Sequence, residues 1–248
     1  MLYDVKPVQG HALIIYNPTN IGIYSSIFYT FARKNRKINA TMNHLLLTTA
    51  YFPPISYFYA LFRSACAYIE QYENFGKQSY RNRCLIMTAN GVIPLTVPVA
   101  KANSKTLVRD LRIVYTTPWQ KLHFRGIESA YKNSPYYEYY IDDLLPFFEK
   151  RETFLLDLNN ALLETVGGWL QLPAEIRLTE DYVPAGCPDY DDLRNAIHPK
   201  PARRMPGADF PLPVYRQTFS DRIPFTPDLS ILDLLFCCGP DARQKLLI

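Results

Sequence analysis

Ten of the chain's twenty prolines fall between Pro173 and Pro227, and that crowding dictates how the rest of the 248 residues must be built. Proline lacks the backbone N–H that helices and central strands use, so residues 173–227 are expected to hold little regular structure. The stretch is nevertheless punctuated by Val183, Tyr190, Ile197, Phe210, Tyr215 and Phe219. A disordered linker has no such apolar anchors, so the segment reads as an ordered crossing that wraps over a core made elsewhere. Residues 42–172 and 228–248 must then supply that core, and 48% hydrophobic against 20% charged residues is enough for one.

Ahead of the crossing, Leu45, Leu46 and Leu47 make a short buried-type strand that ends at Tyr51-Phe52-Pro53-Pro54. The two prolines suit a helix start, which places a helix over Ile55–Phe62. Ala67–Gln71 and Cys84–Thr88 read as further strands, Asn90-Gly91 as a hairpin turn into Ile93–Val99, and Leu111–Tyr115 as one strand more. Helices follow. Thr117-Pro118-Trp119-Gln120 has the form of a capping box, Ser134-Pro135 starts a second helix through Phe148, and Phe154, Leu158, Leu162, Val166 and Trp169 mark the face of a third. Leu229–Phe236 is a last apolar helix, broken by Cys237 to Pro240. The fold class expected is α/β: a small central sheet in the first half packed by a helical hairpin or triplet, then the proline-rich wrapping segment and a C-terminal helix.

Charge is unevenly placed. The formal +4 comes from 27 Lys plus Arg against 23 Asp plus Glu, yet residues 1–41 hold five bases and one acid, which leaves 22 of each in 42–248. An electrically balanced body does not provide the extended positive groove that nucleic acid needs, so no nucleic-acid partner is expected. The apolar run Ile21–Ala32 is followed by Arg-Lys-Asn-Arg-Lys, the reverse of a secretory leader, and it is too short and hydroxyl-rich to span a bilayer. Five cysteines, with no CxxC and no His at zinc spacing, point to reduced thiols, no structural metal and a cytoplasmic setting.

The densest polar cluster runs from Glu70 to Arg83 between two expected strands, where a rigid sheet presents binding groups. Lys77, Arg81 and Arg83 can hold a phosphate or carboxylate, and Tyr72, Phe75 and Tyr80 can stack on a ring. The alternative is a solvated connection whose acids and bases pair locally. Glu70 and Glu73 are acid/base candidates if partly buried. His123 falls on the inward face of its helix, which suits a satisfied core residue or, at a cleft, a base. His198, in Ile197-His198-Pro199-Lys200, sits on a constrained turn beside a cation. No Walker loop, GxGxxG, GxSxG or HExxH is present, so the common phosphate, dinucleotide, hydrolase and zincin signatures are absent and the cofactor stays open.

Taken in order, LLLTTAYFPPISYF, YIEQYENFGKQSYRNRCLI, PLTVPV, the Trp119–His123 stretch, SAYKNSPYYEYY, IHPK and LSILDLLFCCGPDA resemble the WbqC-like family, named after a member encoded in bacterial O-antigen gene clusters. The likeness covers nearly all of 42–248. Where the family opens on Gln-Pro this chain has Thr49-Ala50, and the family's acidic strand end reads Glu70. The resemblance implies a single domain over 42–248, divided into 42–172, 173–227 and 228–248. Residues 1–41 are then expected to be an upstream extension, either a start set too early or a weakly ordered arm.

What the resemblance implies about activity is a bacterial protein in the setting of polysaccharide biosynthesis, a transferase-type enzyme acting on a nucleotide-linked or surface-polysaccharide sugar. In that case Lys77, Arg81 and Arg83 would hold a phosphate or carboxylate, and Tyr80 and Asn82 the polar groups of the substrate. Glu70 or His123 would carry the proton, with His198 at the same pocket. The competing class is a non-catalytic ligand-binding or scaffolding protein. Neither reading fixes the reaction or a cofactor.

Overall fold

The computed structural model describes residues 44–103, 105–200 and 210–247. The expectations for residues 1–41, including the basic cluster and the apolar run before it, lie outside the described residues. The fold is mixed α/β. Six strands are named: β1 (His44–Thr48), β2 (Cys66–Glu70), β3 (Arg83–Thr88), β4 (Gly91–Thr96), β5 (Glu175–Leu178) and β6 (Tyr190–Asp192). The helices are α1 (Ile55–Phe62), α2 (Trp119–Tyr131), α3 (Tyr137–Glu149), α4 (Leu155–Trp169), α5 (Ile231–Cys238) and α6 (Asp241–Leu246).

The main sheet is parallel, in the order β5-β2-β1-β6. Register pairs Leu46 with Tyr68 and with Asp192, Thr48 with Glu70, His44 with Tyr190, and Tyr68 with Arg177. Because side chains alternate along a strand, this register sorts them cleanly. Leu45, Leu47, Ala67 and Ile69 point to one face and are buried in the core with the aromatics Phe52, Tyr57 and Phe58. His44, Leu46, Thr48, Cys66, Tyr68, Glu70, Glu175, Arg177, Tyr190 and Asp192 point to the other. A purely parallel sheet normally has both faces covered by helices and hydrophobic strands. Here the second face is mostly polar and aromatic, with one fully buried leucine, Leu46, among its side chains.

The connection that runs over that face explains why. Parallel β5 and β6 sit on opposite edges, so the chain must return from the carboxyl end of one to the amino end of the other. Residues 179–189 make this crossover with no helix in it. The proline-rich segment therefore gives two of the sheet's strands as well as a wrapping path.

The hairpin β3–β4 turns through Ala89-Asn90, one residue before the expected Asn90-Gly91, and Gly91, paired with Thr88, has φ 104° where a side chain would be strained. The Pro53-Pro54 turn is knitted to the start of α5: Ile55 N–H donates to the Leu229 carbonyl at 3.0 Å, Ser56 N–H to Asp228 Oδ1 at 2.9 Å, and Ile231 N–H to the Pro53 carbonyl at 2.9 Å. Four other local expectations change. Leu111–Tyr115 is no strand, since only single bridges join Ile113 to Val99 and Arg112 to Phe154. Thr117 does not cap α2, whose N-cap is Pro118 without a side-chain bond. The Ser134 hydroxyl instead donates to the Tyr131 carbonyl at 2.6 Å, closing α2, and α3 begins after Tyr136. Cys237 and Cys238 belong to α5, which stops at Gly239 before α6.

Candidate functional site

Glu70 ends β2 on the polar face and is fully buried. A buried carboxylate is tolerable only if its oxygens are satisfied. Oε1 accepts from Tyr72 N–H at 2.8 Å and the Thr179 hydroxyl at 3.0 Å; Oε2 accepts from Val183 N–H at 2.8 Å and Arg194 Nη1 at 3.4 Å. Arg194 also donates to the Val183 carbonyl at 2.9 Å and grips Asp192 through Nε at 2.9 Å and Nη2 at 2.6 Å. Burial works to raise the Asp192 carboxyl, but its bonds from Arg194 outweigh this and hold it below the ordinary carboxylate range. Both ends of the 179–183 segment are thus tied to the sheet by Glu70.

Between that tied segment and the sheet lies a cleft of about 410 Å³. Tyr68 and Tyr190 form its floor, with ring centroids 5.4 Å apart in an edge-to-face arrangement. Tyr182, Glu180 and Asp181 form the crossover wall, and all three are exposed. Thr179, Val183, Pro184 and Cys187 complete the lining. Arg177 stands beside Tyr68, Nη1 lying 3.4 Å from the phenol oxygen, and is paired with Glu175 at 2.9 Å.

A second buried network lies next to the first, because Thr48 is the register partner of Glu70. Glu73 receives a bidentate pair from Arg81, Nε to Oε1 at 2.9 Å and Nη2 to Oε2 at 2.6 Å, and a further bond from the Thr48 hydroxyl. Asn159 on α4 donates to Thr49 Oγ1 at 3.1 Å and to the Arg81 carbonyl at 2.8 Å, fixing the strand end against the helices.

The remaining residues singled out by the sequence are spread around these networks. Lys77 is exposed, Tyr80 is buried, and Asn82 spends its amide on the Val97 carbonyl at 2.9 Å. Arg83 is half-buried at the start of β3, with its Nε buried and unbonded. His198 Nδ1 accepts from Lys200 N–H at 3.0 Å, and Lys200 Nζ reaches Gln78 at 2.6 Å, which draws the 198–200 turn to the 76–79 loop. His123 is buried on α2 against Trp119, its Nδ1 3.0 Å from the Tyr51 hydroxyl. Burial lowers its pKa to about 4, against an opposing bond from the Thr96 backbone. None of the eight residues lines the cleft; Glu70 alone touches its wall. The residues sequence reasoning passed over are Tyr68, Tyr182, Tyr190 and Arg194. For Tyr182 and Tyr190 the signal was the run TEDYVPAGCPDYDD, where tyrosines and acids alternate with turn residues; Tyr68 and Arg194 lie outside it and had no local signal. Among the described residues no three His, Cys, Asp or Glu side chains are grouped to hold a metal ion, and no helix is long and apolar enough to cross a membrane.

Fold and site together define an α/β protein whose parallel sheet leaves one face open beneath a helix-free crossover. The sequence model of the WbqC-like protein family matches residues 49–194, more than half of the chain and every cleft residue, and the chain belongs to that family. It is similar to the uncharacterised protein Rv1507c of Mycobacterium tuberculosis, at 30% identity over 110 residues that make up 44% of this chain and 47% of that protein. The chain thus spans about half the length of the curated relative it matches. No solved structure matches.

Proposed function

We propose that this WbqC-like protein binds a sugar, in nucleotide-linked or polysaccharide-linked form, in the cleft between the 179–189 crossover and the sheet. The observation that carries the reading is the combination of three tyrosines, Tyr68, Tyr182 and Tyr190, with the exposed carboxylates Glu180 and Asp181 around about 410 Å³. A sugar ring presents C–H faces and a rim of hydroxyls. Aromatic faces pack against the first and carboxylates accept hydrogen bonds from the second, and the volume falls in the ordinary range for small-ligand sites. Lys77 and Arg83 are the cations of the 70–83 cluster left for a nucleotide's phosphate, since Arg81 is committed to Glu73. In the transferase form of the reading, Glu180 or Asp181 takes the proton at the cleft and Glu70 positions the wall.

A thermal-shift panel on the full chain, with nucleotides, nucleotide sugars and acyl carriers, tests this. Nucleotide sugars are expected to stabilise the protein, and Tyr182→Ala is expected to abolish the shift. Mass spectrometry of the incubated ligand then separates a transferase from a non-catalytic binding protein. A shift that survives Tyr68→Ala and Tyr182→Ala together overturns the cleft as the site.

A further inference from the structure

Resting on the sugar reading, the geometry points to a more specific ligand: we infer that the cleft selects a sugar bearing a protonated amine over its neutral or phosphorylated counterpart. The aromatic walls and the charge of the lining carry this independently. Tyr68 and Tyr190 bring two electron-rich phenol rings to one opening, and such rings attract an ammonium group; the third, Tyr182, already has the Arg194 guanidinium 5.7 Å from its centroid. Glu180 and Asp181 add two carboxylates at the same opening, and neither has an ion-pair partner among the described residues. The lining itself contains no lysine or arginine.

The guanidinium groups nearby are already committed. Arg177 bonds Glu175 Oε1 through Nε at 3.0 Å and Nη2 at 2.9 Å, and its remaining arm faces the Tyr68 hydroxyl. Arg194 is buried, bonds Asp192, Glu70 and the Val183 carbonyl, and lies 5.7 Å from the Tyr182 ring centroid. An anionic group placed here would meet two carboxylates with no free donor cation to offset them. A neutral hydroxyl at the same position gains a hydrogen bond but leaves the net negative charge uncompensated. An ammonium gains the hydrogen bonds, the charge and the ring contacts at once. The phosphate of a nucleotide-linked ligand would then lie outside this cleft.

The test is saturation-transfer NMR on the full chain with D-glucosamine, D-glucose and glucose 6-phosphate as probes, each titrated at pH 6.5 in low and in moderate salt. Glucosamine is expected to bind about tenfold tighter than glucose, with the advantage reduced by salt and lost in the Glu180→Gln, Asp181→Asn double variant. Both positions are exposed, so that variant keeps its fold, checked by an unchanged melting temperature. Equal, tyrosine-dependent binding of glucosamine and glucose overturns the amine inference and leaves the sugar reading standing. Tighter binding of glucose 6-phosphate overturns the inference as well. Absence of tyrosine-dependent binding by any probe overturns both.

Discussion

Glu70 and Arg194 hold the two poles of one residue: Glu70 Oε2 accepts the Val183 N–H at 2.8 Å, and Arg194 Nη1 donates to the Val183 carbonyl at 2.9 Å. The two side chains also meet each other at 3.4 Å, with exposures of 5% for Arg194 and 0% for Glu70. A buried pair of this kind adds little net stability compared with apolar residues, but removing the carboxylate leaves the buried donors aimed at it unsatisfied. Glu70→Ala is therefore expected to cost about 2–4 kcal/mol in urea denaturation, because it removes the acceptor of the Tyr72, Thr179 and Val183 donors, while Arg194 keeps its pair with Asp192. Glu70→Gln should cost less, since it keeps the shape and one acceptor. An Ala variant of unchanged stability would show that the crossover is not held through this carboxylate.

Tyr182 behaves in the opposite way. It is 55% exposed, so Tyr182→Ala is expected to change stability by no more than about 0.5 kcal/mol. The same variant is expected to lose the thermal shift given by nucleotide sugars. Stability and ligand response should therefore separate: Glu70→Ala lowers both, and Tyr182→Ala lowers only the second.

The Glu73 and Arg81 pair makes a clean double-mutant cycle, because its two bonds of 2.9 and 2.6 Å are bidentate and buried. Each single Ala variant leaves a buried charge and is expected to cost about 3–5 kcal/mol. The double variant removes both charges, so its loss should fall short of the sum of the singles by about 2 kcal/mol or more. Additive losses, measured by denaturation at neutral pH, would mean that the pair carries no coupling.

The sequence made β1, α1, the β3–β4 hairpin and helices α2 to α4 readable, because each carries apolar periodicity or a local turn signal. β5 and β6 were hidden for a physical reason. Glu-Ile-Arg-Leu and Tyr-Asp-Asp are too short and polar to signal strands by themselves. They form because β2 and β1 offer unpaired edges to which they add in parallel. The site shows the same limit. Glu70 stood out in a local polar cluster, but its partners Thr179, Val183 and Arg194 lie 109, 113 and 124 residues further along. Only the fold brings them together, and it turns a presumptive proton carrier into a group with both oxygens occupied.

His123 sets an acid limit on the fold. Its ring is buried beside Tyr51 and Trp119, and desolvation pulls its pKa down from the ordinary histidine value of 6.5 to about 4. Between those values the unfolded chain binds a proton that the folded chain does not, so stability falls as pH drops from 6.5 to 4. The steepest contribution is about 1.4 kcal/mol per pH unit, on the order of 3 kcal/mol over the window. His123→Gln is expected to be less stable at pH 7 but to show a correspondingly shallower acid dependence. Equal slopes for variant and wild type in urea melts at pH 7, 6, 5 and 4.5 would refute the assignment.

Gly239 is where the chain turns from α5 into α6, and two constraints meet there. Its φ of 56° lies in the left-handed region, and a Cβ at this position would sit 2.4 Å from Cδ1 of the Tyr136 ring. The ring is held at the start of α3, where Tyr136 N–H bonds the Phe236 carbonyl at 3.1 Å, so it cannot simply swing away with the backbone. Gly239→Ala therefore combines about 1 kcal/mol of backbone strain with a steric clash, for an expected loss of about 2–4 kcal/mol. The two costs can be separated. In a Tyr136→Ala background the clash disappears and only the backbone strain remains, so adding Gly239→Ala should cost about 1 kcal/mol there. Calorimetry on the four proteins measures the difference; an equal penalty in both backgrounds would mean that the Tyr136 ring yields freely and that φ alone reserves this position for glycine.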